Sequence, residues 1–407
     1  MNGLKKISLF LFFSAAVFCK AEDVSALWSG VQKFPSPKYR TIETPEKGVV
    51  GIIYEGEDWK GRPTEVFAYY SSPSVLGGGA READANLPAV VCVHGGGGKA
   101  YPEWVKLWAK RGYAAIAPDL YGNGFDGKSL DMSGPKHNGS TTRISEKNPP
   151  KDTWVYNAAA NVARAHSLIR SFKEVNPEKT AITGISWGGF LTCVSAGIDG
   201  RYKAAAPVYG CGYYHLENRW NAYVGTDEAA REAWAKYLDP SARLGKTKIP
   251  MLFINSQRDP YFTMKIWSKT SALAADANRK IDFDMKHSQK YGAAPEEILA
   301  FFSDKLGLGG APLAKIEKPE VKSGAICAKY SAAVPVKIAK FYWTRETESA
   351  NCEKFEASKL KWNCTDAKIE SGELKVSPIP EGARSGWFSA TDSRGLSTSS
   401  ACADFGK

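Results

Sequence analysis

Two short glycine-rich stretches constrain this chain most: His94-Gly95-Gly96-Gly97-Gly98 and Gly184-Ile185-Ser186-Trp187-Gly188-Gly189. Each follows an apolar run that reads as a buried strand, Ala89 to Val93 and Thr180 to Ile185. In the second stretch a serine stands in the pattern G-x-S-x-G. Small residues two before and two after it permit a sharp strand-to-helix turn, which pushes the serine hydroxyl into solvent. The first stretch offers backbone N–H groups with no side chains to cover them, an arrangement able to face a developing negative oxygen. The serine pattern alone arises often by chance. Its position behind a glycine loop, each at a strand end, gives it weight.

The N-terminus has the form of an export signal. Lys5 and Lys6 precede the apolar run Ile7 to Phe18, which is too short to cross a bilayer, and Cys19-Lys20-Ala21 puts small residues where a signal peptidase reads. Residues 1–21 are therefore expected to be a signal peptide and the mature chain secreted or periplasmic. Bulky Phe18 argues against lipid attachment at Cys19. No later apolar run is long enough for a membrane helix, so no integral membrane span is expected. The formal net charge of +11 is spread thinly, without a basic block or an aromatic–basic stripe, so nucleic acid is not an expected partner.

From about Lys47 to Leu306 strand and helix patterns alternate. Val49 to Tyr54 and Val66 to Ser71 open the unit as an antiparallel pair. The strand ending at Val93, a helix from Pro102 to Arg111 and the strand Ala114 to Pro118 come next. After a Gly/Ser/Pro-rich loop (Gly122 to Pro150) a helix runs from about Thr153 to Phe172. The serine-bearing turn, its helix to Ala196 and the strand Ala204 to Val208 follow. An aromatic insertion, Tyr213 to Tyr237, precedes the strand Met251 to Asn255. A helix (Thr263 to Ala274), a strand (Lys280 to Met285) and a helix (Pro295 to Leu306) close the unit. The fold class this predicts is α/β, a doubly wound, mostly parallel sheet over residues 22–308, with ligands bound at the carboxyl ends of its strands.

Beyond Leu308-Gly309-Gly310 the pattern changes to short alternating strands, including Val336 to Thr344, Lys359 to Asn363, Glu373 to Val376 and Gly386 to Thr391. Residues 312–407 read as a small C-terminal all-β sandwich. Its aromatic residues Tyr342, Trp343, Trp362, Trp387 and Phe388 lie mostly within strands and are expected in a core rather than on a glycan platform. Cys327, Cys352, Cys364 and Cys402 cluster here, an even number in an exported chain, which predicts two disulfides of open connectivity. Cys92, Cys193 and Cys211 lack metal-ligand spacing, and the five histidines are scattered without HxH or HExxH. No metal and no cofactor is expected.

A serine hydroxyl needs a neighbouring base to take its proton and an acid to orient that base. His94 opens the glycine loop and is expected to shape it. His166 lies mid-helix among apolar residues, and His137 and His215 sit in loops over the strand ends. His287 follows the last strand, where the order serine, acid, histidine places the base. Asp259, just past the strand Met251 to Asn255, is the matching acid, with Glu217 and then Asp119 as alternatives. The donors to a developing oxyanion are expected to be the backbone N–H of Trp187 and of Gly96 or Gly97. Tyr213, Tyr214 and Tyr261 are candidate substrate contacts near the mouth. Trp104 and Trp108, four apart on one helix, are expected to pack against the sheet.

Gly184 to Gly189, the loop His94 to Gly98, the run Gly112 to Asp119 and the placement of Asp259 and His287 resemble the α/β-hydrolase superfamily. They are most similar to secreted bacterial proteins of the acetyl-xylan-esterase, dienelactone-hydrolase and prolyl-oligopeptidase-like group. The resemblance covers about Val49 to Leu306. It implies a triad of Ser186, Asp259 and His287 and a covalent acyl-enzyme, and it does not fix the substrate. Export, the C-terminal sandwich and the aromatic residues near the mouth point to a small-molecule or polysaccharide ester, an acetyl-xylan type of carbohydrate ester first. Dienelactone hydrolases proper use a cysteine nucleophile, and Ser186 departs from that. Prolyl oligopeptidases carry a β-propeller before the catalytic domain, for which the segment ahead of the glycine loop is too short, so esters are expected over peptides. A peptidase, or a non-enzymatic glycan-binding protein on a hydrolase scaffold, remains as an alternative.

Overall fold

The computed structural model describes residues 24–346 and 360–405. The expected signal peptide and Cys352 lie outside the described residues.

A nine-stranded sheet forms the larger unit: β1 (Tyr39–Ile42), β2 (Val50–Glu55), β3 (Glu65–Ser71), β4 (Leu87–Val93), β5 (Ala114–Pro118), β6 (Val175–Ile185), β7 (Ala204–Val208), β8 (Met251–Ser256) and β9 (Ala277–Asp282), in the spatial order β1-β2-β3-β5-β4-β6-β7-β8-β9. The pairs from β1 to β3, and β3 with β5, are antiparallel; from β5 through β9 all neighbours run parallel. β5 and β7 are buried along their whole length, as strands covered on both faces must be.

The chain steps in one direction from β4 to β5 and in the other from β6 to β9. Right-handed crossovers in opposite directions put helices on opposite faces of the sheet. The helix Pro102–Lys110 shares its face with Glu296–Lys305, where Trp108 stacks on Phe302 at 5.4 Å. Trp154–Arg170 and Trp187–Ile198 lie together on the other. Trp104 and Trp108 are both buried, as their spacing predicts. Adjacent β4 and β6 lead into diverging loops, which opens a crevice beyond their carboxyl ends. Those ends carry His94–Gly98 and Ser186.

Two expectations shift. The last strand of the large sheet ends at Asp282 rather than near Met285, so Phe283 already belongs to the loop leading to His287. The aromatic insertion is helical, including Asn221–Val224 and Glu228–Tyr237.

The C-terminal strands are β10 (Lys315–Ile316), β11 (Glu320–Lys322), β12 (Ala325–Ser331), β13 (Val336–Thr344), β14 (Trp362–Asp366), β15 (Lys368–Glu370), β16 (Glu373–Val376), β17 (Ser385–Asp392), β18 (Ser397–Ser399) and β19 (Ala403–Asp404). They form two five-stranded antiparallel sheets, one around β12 and β16, the other around β13 and β17. Ile326 and Leu374 from the first meet Phe341, Trp343 and Phe388 from the second in a separate core. On the other face of β13 and β17, Tyr342 and Trp387 join the core of the larger unit together with Trp362. The aromatic residues of this region therefore serve two cores.

The two-disulfide expectation does not hold here. Two bridges among four cysteines require one between members of Cys327, Cys364 and Cys402, and no disulfide joins described cysteines. Cys327 is buried on β12 in one sheet, whereas Cys364 lies on β14 in the other, directly across from Tyr342 of β13. Cys92, Cys193 and Cys211 are buried thiols, and burial pushes each of them up.

Candidate active site

Ser186 caps the helix Trp187–Ile198 with φ 59° and ψ −121°, a conformation that non-glycine residues adopt only where the surroundings enforce it. The enforcement is visible. Ser186 N–H donates to Val208 O (2.9 Å) on the neighbouring strand, and Phe190 N–H donates to Ser186 O (2.9 Å). A Cβ on Gly188 would overlap the carbonyl oxygen of Val93, so helix and β4 approach as only glycine allows. The glycine loop closes in from the other side: a Cβ on Gly96 would lie 2.6 Å from Cδ1 of Trp187. The two motifs are pressed into one another.

His287 and Asp259 meet. Nδ1 of His287 lies 2.6 Å from Oδ2 of Asp259. The other oxygen, Oδ1, accepts the backbone N–H of Tyr261 (2.9 Å) and Phe262 (2.8 Å), so the carboxylate is held by its own turn and is fully buried. With Nδ1–H committed to Asp259, a neutral His287 presents Nε2 as an acceptor. Ser186 and His287 line one cavity of about 580 Å³.

Gly96 and Gly97 flank the same cavity, as do Trp187, His137, Trp220 and Tyr223. Pro260 and the half-exposed Tyr261 also line it, and Arg219 contributes a permanent cation, paired through Nε with Glu217 at 2.9 Å. Trp187 N–H stands in the first turn of its helix, where no intrahelical acceptor exists. Gly96 N–H has no hydrogen-bond partner among the described residues. Gly97 differs from expectation: its N–H donates to the Tyr121 hydroxyl at 2.7 Å and is not available to an oxyanion.

That hydroxyl also contacts Nδ1 of His137 at 2.8 Å. Burial holds the His137 imidazole down at about 4 and pushes the Tyr121 phenol up to about 12, so both are neutral near pH 7. The Tyr121 hydroxyl thus accepts from Gly97 N–H and shares a second hydrogen bond with His137 Nδ1. The ring of His137 packs between Trp154, Trp187 and Tyr223, with centroids 4.3 to 5.0 Å away.

The remaining candidates are placed elsewhere. Tyr214 is fully buried, stacked on Trp220 at 4.0 Å, and Tyr213 packs against His215 with Lys269 over its ring. Neither lines the cavity: the insertion turns Tyr214 into its own aromatic core, and Tyr213 is held beside His215 under Lys269. Of the three tyrosines only Tyr261 does. Glu217 bonds Thr263 and Arg219 instead of a histidine. Asp119 caps its own turn through the N–H groups of Tyr121 and Asn123. His94 shapes the glycine loop, with Nε2 accepting Leu120 N–H at 2.8 Å. His215 lies 3.5 Å from Asp239, and His166 is sealed in the interior.

One residue of consequence carries no motif. Tyr209, directly after β7, has φ 47° and lays its ring 4.6 Å from that of His287. Its hydroxyl donates to the carbonyls of Lys286 (3.0 Å) and Ser288 (3.2 Å), gripping the backbone on both sides of the histidine. Among the described residues no cluster of three or more His, Cys, Asp or Glu could hold a metal ion, and no helix is long and apolar enough to cross a membrane.

A family model described as the dienelactone hydrolase family matches residues 77–288, just over half of the chain. A search of curated proteins found no match. Among solved structures, the acetyl xylan esterase from Paenibacillus sp. R4 is similar at 20% identity and a TM-score of 0.55, over 69% of this chain and 92% of that one. Acetyl xylan esterase 1 from Thermoanaerobacterium sp. JW/SL YS485 is similar at 16% identity and a TM-score of 0.55, over 71% and 94%. At these identities the likeness concerns the α/β-hydrolase fold.

Proposed function

The chain belongs to the dienelactone hydrolase family, and on that premise we propose that it is a serine hydrolase of carboxylic esters. The observation that carries the reading is the His287–Asp259 hydrogen bond of 2.6 Å at a cavity that Ser186 also lines. His287 Nε2 takes the proton of Ser186 Oγ as that oxygen attacks the ester carbonyl. Asp259 keeps the proton on Nδ1 and stabilises the imidazolium that forms. The tetrahedral oxygen receives hydrogen bonds from Trp187 N–H and Gly96 N–H, in a site walled by aromatic rings where such bonds are strong. His287 then gives its proton to the departing alkoxide, leaving an acyl-serine. Water activated by the same histidine hydrolyses it.

The substrate reading is a small acyl group, acetyl first, on a sugar hydroxyl. A cavity of about 580 Å³ suits a small acyl group with part of a sugar unit, and Trp220, Tyr223 and Tyr261 offer faces on which a sugar ring can lie. Both fold neighbours named above are described as acetyl xylan esterases, which agrees. We further propose that the protein is exported, on the form of residues 1–21. The test is a serine-directed fluorophosphonate followed by peptide mapping, beside an activity screen on acetylated xylo-oligosaccharides, feruloyl esters, methyl esters and peptide amides. One adduct on Ser186, and kcat/KM for an acetylated sugar at least about a hundredfold above any matched amide, is the expected result. Labelling of another serine would overturn the mechanism. Cleavage of peptides alone would overturn the substrate.

A further inference from the structure

We propose that the C-terminal β unit is a working part of the active site: by stacking Tyr342 on Phe283 it holds the loop carrying His287 against the loop carrying Asp259. This rests on the roles given to those two residues above.

Phe283 is the first residue past β9 and lies four before His287. Three contacts converge on it. The ring of Tyr342, from β13, stacks on it at 5.4 Å and 26°. The guanidinium of Arg258 lies 5.1 Å from its centroid, and its carbonyl accepts a hydrogen bond from the Gln257 side-chain amide. Gln257 and Arg258 directly precede Asp259. The loop of the acid and the loop of the base thus meet at Phe283 as well as around the His287 ring, where Asp259, Tyr261 and Phe262 contact it, and the C-terminal sheet closes the third side of Phe283.

Tyr342 is itself well backed. It stacks on Trp387 at 5.3 Å and 15°, and Trp387, wholly buried, meets Trp362 edge-on at 4.5 Å. The contact continues down the sheet. β9 is the edge strand of the nine, and β18 lies alongside it, with Ile281 N–H donating to Ser399 Oγ at 3.0 Å. Ser397 N–H donates to Glu297 at 2.9 Å, and Asn278 donates to Ala314 O at 3.0 Å. An uncovered edge strand and the loop beyond it would be among the first parts of a sheet to open. A general base must stay within about half an ångström of its working position. Tyr209 grips the His287 loop from inside the larger unit, and Tyr342 braces it from outside. Without the brace, Phe283 loses one of its three supports and the distance between His287 and Ser186 broadens.

Adjacent residues of β13 face opposite ways, which supplies the control. Tyr342 faces the catalytic unit and Trp343 the sandwich core. In the full-length chain, Tyr342→Ala is expected to lower kcat about tenfold on an acetyl ester with KM unchanged, and to slow phosphonate labelling of Ser186 in proportion. Tyr342→Phe keeps the ring and is expected to keep wild-type kcat. Trp343→Leu is expected to lower Tm and leave kcat intact, all assays being run well below the transition. If Tyr342→Ala does not fold, Phe283→Leu reads the same stack from its other side. Wild-type kcat in Tyr342→Ala or Phe283→Leu, or an equal kcat loss in Trp343→Leu, overturns the proposal. Failure of the serine reading itself shows separately, as a Ser186→Ala variant that retains activity.

Discussion

Among the described residues the larger unit sets three histidines within 3.5 Å of an aspartate, and comparing the two shortest pairs separates what a hydrogen-bond pattern makes from what a reaction needs. In the open pair, His287 Nδ1 lies 2.6 Å from Asp259 Oδ2. In the sealed pair, His166 Nδ1 lies 2.8 Å from Asp199 Oδ2, and Nε2 lies 2.9 Å from the Thr180 hydroxyl. The second set is a complete hydroxyl–imidazole–carboxylate chain, yet it has none of the other requirements. Both side chains of the sealed pair have no exposure, whereas His287 retains 14%. Asp199 is also held by Arg201 through two bonds of 2.7 Å, and His166 is covered by Tyr202 at 3.6 Å. Thr180 lies within β6, well before its carboxyl end, while Ser186 follows that end in a strained turn with N–H donors beside it. The sealed chain joins β6 to the two helices on its face. In the proposed reading, access, the strand end and the neighbouring N–H groups set the other one apart as the site.

The largest expected effect breaks the two pairs apart by activity. His287→Gln and Ser186→Ala are each expected to reduce kcat by roughly 10⁴ or more, because members of such a triad act as a unit. Thr180→Val and His166→Phe should leave kcat within about twofold. Initial rates on an acetyl ester with each purified variant decide it. A Thr180→Val variant as impaired as Ser186→Ala would mean that the sealed chain contributes to chemistry and that the comparison is drawn wrongly.

The reverse ranking is expected for stability. His166→Phe keeps a ring on Tyr202 but leaves the buried Thr180 hydroxyl without its imidazole partner, while Asp199 keeps both bonds to Arg201. Leaving that buried polar group unmatched should cost about 1 to 3 kcal/mol of unfolding free energy. His287→Gln, at the edge of a cavity, should cost under about 1 kcal/mol. Urea midpoints at constant slope measure both, and equal losses would erase the distinction between staple and site.

A smaller effect sharpens the comparison by pH. Burial holds His166 and His137 at about 4, against 6.5 for an ordinary imidazole. Unfolding therefore takes up protons between these values. The stability each ring contributes is fully present above about pH 6.5, is lost as pH falls, and levels off below about pH 4. Each proton contributes about 1.4 kcal/mol per pH unit within the window. His166→Phe is expected to remove one proton's share of that slope. An unchanged slope between pH 4.5 and 6 would show that His166 is not the sealed base described.

Much of the open site was legible because its parts stand beside local punctuation. Ser186 and Gly96 lie in glycine motifs at strand ends, and His287 and Asp259 follow from chain order among only five histidines. β7 and β13 agree with the pattern to the residue. What was hidden depends on partners distant in sequence. Tyr209 acts 77 and 79 residues away, on Lys286 and Ser288. Gly97 is spoken for by Tyr121, 24 residues on, so a loop pattern could not rank it below Gly96. Tyr213 and Tyr214 look alike in sequence to Tyr261, but the insertion folds around them. Strand alternation marks Tyr342 and Trp343 as facing apart without saying that each face has a core to enter.

The smallest effect asks how much of the difference between the pairs lies in the oxyanion donors, which the sealed pair lacks. Tyr121 holds Gly97 N–H, and the neighbouring Gly96, whose N–H has no partner among the described residues, lines the cavity with Trp187. Tyr121→Phe removes the acceptor but keeps the ring, and it also removes the hydrogen bond shared with His137 Nδ1. The loop then has one fewer restraint, and Gly96 N–H spends less time aimed at the developing charge. A net hydrogen bond of about 1 kcal/mol corresponds to roughly a fivefold fall in kcat. KM should stay near wild type, because a ground-state carbonyl depends less on that donor than the tetrahedral oxygen does. A trifluoromethyl ketone, whose hydroxyl adduct imitates that oxygen, should weaken by the same factor as kcat/KM. The opposite outcome is informative. If kcat rises in Tyr121→Phe, the released Gly97 N–H has joined the oxyanion site, and the wild-type chain keeps a third donor occupied. If kcat and inhibitor affinity are both unchanged, the Tyr121 bond does not position the glycine loop, and the packing of Trp187 against Gly96 suffices to set the site's geometry.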